Sequence, residues 1–187
     1  YNAPLSISNI VFGLGPRINA AGRMDDANKA VRMLVSDSVE KAKDGADILQ
    51  EKNVDRKEID KKITLDAIRM LQEDENVANK VTTVLCSNEW HKGVVGIVAS
   101  RLLDHYYRPT ILLTESNGML FGSARSVKNF DIYEAIKQCN DLLDQFGGHM
   151  YAAGLSMRPE NFEKFKQRFE EVVKATIKPE QLIPEIE

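Results

Sequence analysis

Residues 46–92 contain neither glycine nor proline. Nothing else restricts the fold as strongly. A run without breakers, rich in Ala, Leu, Lys and Glu, must go into long regular elements. "SDSVE" stands just ahead of it, and Asp37 followed three residues later by Glu40 resembles a capping box, so a helix is predicted to start there. Continued to about Gln72, it is roughly 50 Å long, at about 1.5 Å per residue. Its apolar stripe is good early (Val39, Ala42, Ala46, Leu49) and late (Ile59, Ile63, Ala67, Met70). Between them "QEKNVDRKE" offers only Val54. Such a helix is either a connector between two packed bodies or the charged, solvated face of a helical hairpin, and periodicity does not choose between them.

The flanks differ in texture. In residues 1–24 Arg17 and Arg23 are the only charges, and "GLGPRINAAGRM" reads as loop from its Gly, Pro and Ala punctuation. Ala27, Ala30, Val31 and Leu34 predict a short helix from Asp25. After Asn76, "KVTTVLCS" is a buried strand and "GVVGIVASRLLDHYY" a helix packed on a sheet. "RPTILLTES" and "MLFGSARS" form a hairpin about Asn117-Gly118. "DIYEAIKQCNDLLDQF" is a helix, "HMYAAGLSM" a strand, and "PENFEKFKQRFEEVVKAT" a helix docked by Phe162, Phe165 and Phe169. The expected fold is α/β, a mixed β-sheet flanked by helices, preceded by a helical region with one long connector helix. The expected domains are 1–76, helical connector; 77–178, α/β domain; and 179–187, linker.

Composition excludes several classes. The chain has 187 residues, a net charge of −3 and a pI near 5.7, so nucleic-acid contact must come from a local patch. Cys86 and Cys139 lack metal-ligand spacing and read as buried thiols of a reduced, cytoplasmic protein. No apolar run spans a membrane, and no membrane partner is expected. The three histidines are far apart, and no Ser-His-Asp arrangement, Walker loop or dinucleotide fingerprint is present. The start at Tyr1 and the end on "IPEIE" suggest a piece of a longer protein.

Four stretches could carry chemistry, each small-residue-rich with a basic or ring side chain. In "EWHKGVVGIVASR", His91 and Lys92 precede a helix expected to start at Gly93, whose free N–H groups suit a phosphate or carboxylate; the same residues also suit a tight strand-to-helix turn. In "GSARS", Arg125 between Ser123 and Ser126 suits phosphate oxygens, or a surface ion pair. In "FGGHMYAAG", Gly147 and Gly148 before His149 are either a turn with a stray histidine or backbone cleared for a ligand. In "GPRINAAGR", Arg17, Asn19 and Arg23 line a small-residue segment, either a binding loop or a linker.

Together "GPRINAAGRM", "HKGVVGIVASRL", "YYRPTILL", "GSARS" and "FGGHMYAAG", with "ADILQEKNVDRKEID" and its Asn53 and Arg56, resemble the RecJ family of bacterial single-strand-specific 5′→3′ DNA exonucleases, within the DHH phosphoesterases. The resemblance implies a two-lobed, metal-dependent enzyme of DNA repair and recombination. Manganese or magnesium would sit in an N-terminal DHH lobe, and an oligonucleotide-binding domain would follow. This chain matches the connector and the DHH-associated lobe and lacks the Asp-His-His signature, so no metal and no hydrolysis of its own are expected. The resemblance implies His149 at the scissile or adjacent phosphate with Gly147 and Gly148. Ser123, Arg125 and Ser126 would hold a neighbouring phosphate. Arg17, Asn19 and Arg23 would lie near the cleft, with His91 as a further contact. Single-stranded DNA is the implied partner, with a helicase or single-strand-binding protein as further candidates. The alternatives are a DHH phosphoesterase for short oligonucleotides or dinucleotides, and a non-catalytic interaction module.

Overall fold

The computed structural model describes residues 6–184. The expectations for Tyr1 and for the last residues of "IPEIE" lie outside them. The chain divides into two compact units between Lys61 and Lys62.

In the first unit a π-helical turn, Asn9–Leu14, leads into α1, Gly15–Met24, followed by α2, Asn28–Leu34. The expected "GPRINAAGRM" loop is therefore a helix. Gly15 and Pro16 stand at its front, where the ring of Pro16 pre-sets helical φ, and Gly22 lies inside it. Ala20 and Ala21 are buried, and Ala21, Ala30 and Leu49 form a small core with Ile18 and Met33.

The long helix is present as α3, Val39–Gln72. Its cap is not Asp37: the Ser38 Oγ accepts from the Lys41 N–H at 3.4 Å, the N-cap to N3 geometry, one residue later than the sequence suggests. The polar middle is not a solvated face. Asn53 and Asp60 are buried, and Arg56 between them donates Nη2 to Asn53 Oδ1 (3.2 Å) and Nη1 to Asp60 Oδ2 (3.4 Å). These i, i+3 and i+4 spacings put all three on one stripe.

The second unit takes in the last turns of α3, where Ile63, Ala67 and Leu71 are buried. It continues with β1 (Thr83–Cys86), α4 (Val95–His105), β2 (Thr110–Ser116), β3 (Met119–Arg125) and α5 (Ile132–Lys137). It ends with β4 (Gln145–His149), β5 (Ala152–Met157) and α6 (Phe162–Thr176). The sheet order is β1-β2-β3-β5-β4, with β1 parallel to β2 and the other pairs antiparallel. The mixed sheet and the Asn117-Gly118 hairpin are as expected, with φ of 53° and 73° at the two turn residues.

One element was missed. The helix expected to reach Phe146 stops at Lys137, and "QFGGH" is a strand hydrogen-bonded to β5. The Gly-Gly pair is not the turn; that is Met150-Tyr151. Gly148 holds φ +151°, and a Cβ there would lie 2.3 Å from the Ala152 carbonyl oxygen, so this strand needs glycine where a turn seemed called for.

One sheet face is closed. Ile111, Leu113, Leu120, Ala124, Ala153, Leu155 and Met157 pack there against Ile132 and Ile136 of α5 and Phe165, Phe169 and Val173 of α6. On the other face α4 packs chiefly on β2 and β3, with Val95, Val98, Ala99 and Leu102 buried. Over β5 and β4 that face is not closed by a comparable helix layer among the described residues.

Candidate functional site

Strand register places four of the sequence-predicted residues, Ser123, Arg125, Gly147 and His149, on the half-open face. Directly paired residues share a face. One row is Arg125, Ala152 and His149, and the next, two residues along, is Ser123, Gly154 and Gly147. Two stretches far apart in sequence, "GSARS" and "FGGH", thus meet across the single strand β5.

Arg125 is held from several sides. Its Nε donates to Ser100 Oγ (3.1 Å), and its Nη1 donates to Ser123 Oγ (2.8 Å) and to the Ala124 carbonyl (2.7 Å). Ser100 in turn donates to the Gly96 carbonyl at 3.2 Å, one helical turn back on α4. A Cβ on Gly96 would lie 2.8 Å from Ser123 Oγ and 3.0 Å from Arg125 Nη2. Gly96 is therefore what lets α4 settle onto the pair. A guanidinium fixed in this way presents its fork in one orientation, the geometry that suits phosphate oxygens.

His149 is exposed, at the end of β4 beside the hairpin turn. Its Nδ1 accepts from the Tyr151 N–H at 3.3 Å, so the ring proton belongs on Nε2, which is then a donor. The turn is anchored by Ile132 N donating to the Met150 carbonyl (3.1 Å) and Ser126 N donating to the Tyr151 carbonyl (3.0 Å).

The two neighbouring glycines differ. Gly148 faces the closed side and is dictated by backbone geometry. Gly147 and its partner Gly154 face the open side, and a Cβ on either would meet no atom within 4 Å. Two unforced glycines side by side weaken a sheet; what they give in return is bare backbone that a ligand can approach.

The other expected residues fall as follows. Ser126 is buried, and its hydroxyl donates to the Phe130 carbonyl at 2.7 Å. The α4 helix begins at Val95 rather than Gly93, and its first amides are not free. Gly93 N donates to His91 Nδ1 (3.1 Å), and Val94 N and Val95 N donate to the His91 carbonyl (2.9 and 3.2 Å). His91 thus closes a tight strand-to-helix turn, one of the two readings the sequence left open. In the first unit Arg17 donates Nε to Gln50 Oε1 at 2.6 Å and Nη1 to the Gly13 carbonyl, while Asn19 and Arg23 are exposed on α1.

Sequence reasoning missed Ser100 and Gly154 as members of the site, and took Gly96 as room for a ligand rather than for Ser123 and Arg125. The i, i+4 spacing of Gly96 and Ser100 put them on one helix face, but only strand pairing shows what that face covers. A groove of about 500 Å³ continues from the site, with Lys92, Phe121, Ser123, Gln145, Gly147, Gly154 and Ser156 in its lining. A cavity of about 530 Å³ lies between β1 and α6. There Glu170 accepts from the Val81 and Thr82 N–H groups at 3.0 Å, a structural role. Both cysteines are free thiols, pushed up to about 11 by burial.

Among the described residues no group of three or more His, Cys, Asp or Glu side chains could hold a metal ion. The open face presents Lys92 and Arg125, which repel cations. These residues do not fit a metal, and no hydrolytic step is assigned to them. No helix among the described residues is long and apolar enough to cross a membrane.

The DHHA1 domain family matches residues 74–175. The single-stranded-DNA-specific exonuclease RecJ of Bacillus subtilis is 37% identical over 175 residues, covering 92% of this chain and 22% of that protein. The crystal structure of Thermus thermophilus RecJ in complex with Mg2+ superposes with a TM-score of 0.80 at 33% identity, covering 91% of this chain and 26% of that one. A crystal structure of exonuclease RecJ bound to manganese gives a TM-score of 0.80 at 31% identity, covering 95% of this chain and 44% of that one. This chain therefore spans less than half the length of each.

Proposed function

The chain belongs to the DHHA1 domain family, and from that premise we propose that it is the substrate-holding part of a RecJ-type exonuclease that degrades single-stranded DNA with 5′→3′ polarity, in DNA repair and recombination. The carrying observation is the pair of rows Arg125–Ala152–His149 and Ser123–Gly154–Gly147 on the half-open sheet face.

In this reading one phosphate of the strand sits over that face. Arg125 neutralises it, the Ser123 hydroxyl and His149 Nε2 bond its oxygens, and Gly147 with Gly154 lets it come close to the backbone. Gly148 keeps β4 paired so that His149 stands opposite Arg125. Ser126 acts through the turn it ties. Arg17, Asn19 and Arg23, in the first unit, are further strand contacts in this reading, and His91 acts by shaping the turn ahead of α4. Donors fixed before substrate arrives need little reorganisation when charge builds on the phosphate.

The metal, manganese or magnesium, belongs in this reading to a DHH lobe elsewhere in the full-length protein. Exposed Ile10, Val11, Phe12, Val31, Leu34 and Val35 support a further covering body, since this many large apolar side chains rarely face water together. An oligonucleotide-binding domain, a cytoplasmic setting, and a helicase or single-strand-binding protein as partner complete the proposal.

The test compares this chain with the full-length protein on labelled single strands in the presence of manganese. Only the full-length protein is expected to cleave; robust metal-dependent cleavage by this chain alone would sink the assignment. In the full-length protein, His149→Ala should slow turnover by about 100-fold or more, with an unchanged circular dichroism spectrum. Near-wild-type turnover would remove His149 from the site.

A further inference from the structure

A third row lies on the open face, two residues beyond Ser123, Gly154 and Gly147. It consists of Phe121 on β3, Ser156 on β5 and Gln145 on β4. Rows two residues apart are about 6.6 Å from one another along the strands. The third row is therefore about 13 Å from Arg125 and His149. Between them the floor carries no side chain on β5 or β4, because Gly154 and Gly147 stand there and nothing occupies the space above either.

The ends of this floor differ in chemistry. The Arg125 end holds a guanidinium, a hydroxyl and an imidazole. The far end holds an aromatic ring, an amide, a hydroxyl and the ammonium of Lys92. That ammonium lies 3.2 Å from the centroid of the Phe121 ring. An exposed lysine brought over a ring is held there by the ring's quadrupole. It occupies the ring face that a flat ligand would stack on, and its flexible stem lets it leave.

We propose that this far end is a base-binding subsite of the same strand-holding face. One nucleotide would lie with its phosphate at Arg125 and its sugar over Gly147 and Gly154, with its base stacked on Phe121 in place of Lys92. Gln145 offers both a donor and an acceptor, and Ser156 a hydroxyl, to the edge of the base. The displaced Lys92 ammonium then turns to a phosphate of the strand. Stacking on one ring accepts any base, so the subsite reads the presence of a base rather than its identity. The subsite rests on the phosphate-holding role proposed above, and the experiment separates the two.

The full-length protein is assayed on single strands in which one nucleotide, at each of the first several positions in turn, is abasic. For the wild type, one position should show KM raised about tenfold with kcat little changed, the size expected for one lost stacking contact. In Phe121→Leu, KM for the intact strand should rise by the same factor, and the penalty at that position should vanish. Phe121→Tyr should restore both. Thermal unfolding of the Leu variant controls for folding. The subsite is overturned if no position carries a penalty, or if Phe121→Leu keeps it. If those results come with a large loss in Arg125→Gln, the phosphate site stands and only the base subsite falls. If Arg125→Gln and His149→Ala are both silent as well, the parent reading falls with it.

Discussion

The two faces of the sheet are built from the same five strands and do opposite things. On the closed face Leu, Ile, Phe and Val from β2, β3, β5, α5 and α6 fill the space. There every side chain is justified by its neighbours. On the other face α4 covers β2 and β3, and over β5 and β4 the residues become Gly, Ala, Ser, Gln and His. Packing explains the first set and not the second. The contrast is sharpest at one dipeptide: Gly148 is required by the closed side, and Gly147 is required by nothing in the fold.

The strongest way to break this comparison is to make the same substitution at both glycines. Gly148→Ala should destabilise the chain by about 3 kcal/mol or more, because it combines a φ that L residues avoid with a clash against the Ala152 carbonyl. Gly147→Ala should leave the urea midpoint unchanged or slightly raised, yet weaken strand binding by the full-length protein. Equal losses of stability at the two sites would erase the distinction between the faces.

Gly96→Ala tests the seam where α4 meets the open face, and its effect should be intermediate. The new methyl would crowd Ser123 Oγ and Arg125 Nη2, at a cost of about 1–2 kcal/mol in stability. Turnover should fall further than stability explains, because the guanidinium is re-aimed. Arg125→Gln should lower the dependence of log affinity on log salt by about one. An unchanged salt slope would place Arg125 away from any phosphate.

The smallest effect concerns acid. Trp90 is buried, and its Nε1 donates to Asp66 Oδ2 at 2.8 Å, while Arg69 Nη2 donates to Asp66 Oδ1 at 2.7 Å. The Arg69 hydrogen bond first, and the Trp90 one second, hold the Asp66 carboxyl below its ordinary 3.8. A depressed carboxyl stabilises the fold fully above the unfolded value near 3.8 and less as pH falls through the lower folded value. Trp90 fluorescence should therefore report a transition below about pH 4. Asp66→Asn should remove it without touching the site, and a titration identical to wild type would discount the contact.

Much of the fold was legible in the sequence because breakers and periodicity are local. The breaker-free run became α3, Asn117-Gly118 became the hairpin it signals, and Phe165 and Phe169 docked α6 as their spacing implies. The failures share one cause. "GPRINAAGRM" looked like loop because its glycines and proline were weighed as breakers, whereas Gly15 and Pro16 open α1 and Gly22 is carried inside it. "QFGGH" looked like a helix end and a turn because two glycines have no β signature, and only pairing with β5 holds them extended. The polar middle of α3 left its environment open, because a sequence does not say which stripe is covered. For His91 the sequence left an anion seat and a tight turn both open, and its ring and carbonyl take the first amides ahead of α4, as a tight turn requires.

The sequence by itself determined the inventory. It supplied a long helix, an α/β sheet, an arginine among serines, a histidine after two glycines, and no carboxylate cluster to join them. Those are properties of residue type and short-range spacing, which the chain carries before it folds. Tertiary structure alone decided that Arg125 and His149 stand in one row. That depends on β5 lying between β3 and β4 and on the register of two antiparallel ladders, and a one-residue slip in either would turn half of the site into the core. It also decided which of two adjacent glycines serves the fold and which leaves room for a ligand, since the two faces of one strand differ only in what is packed against them.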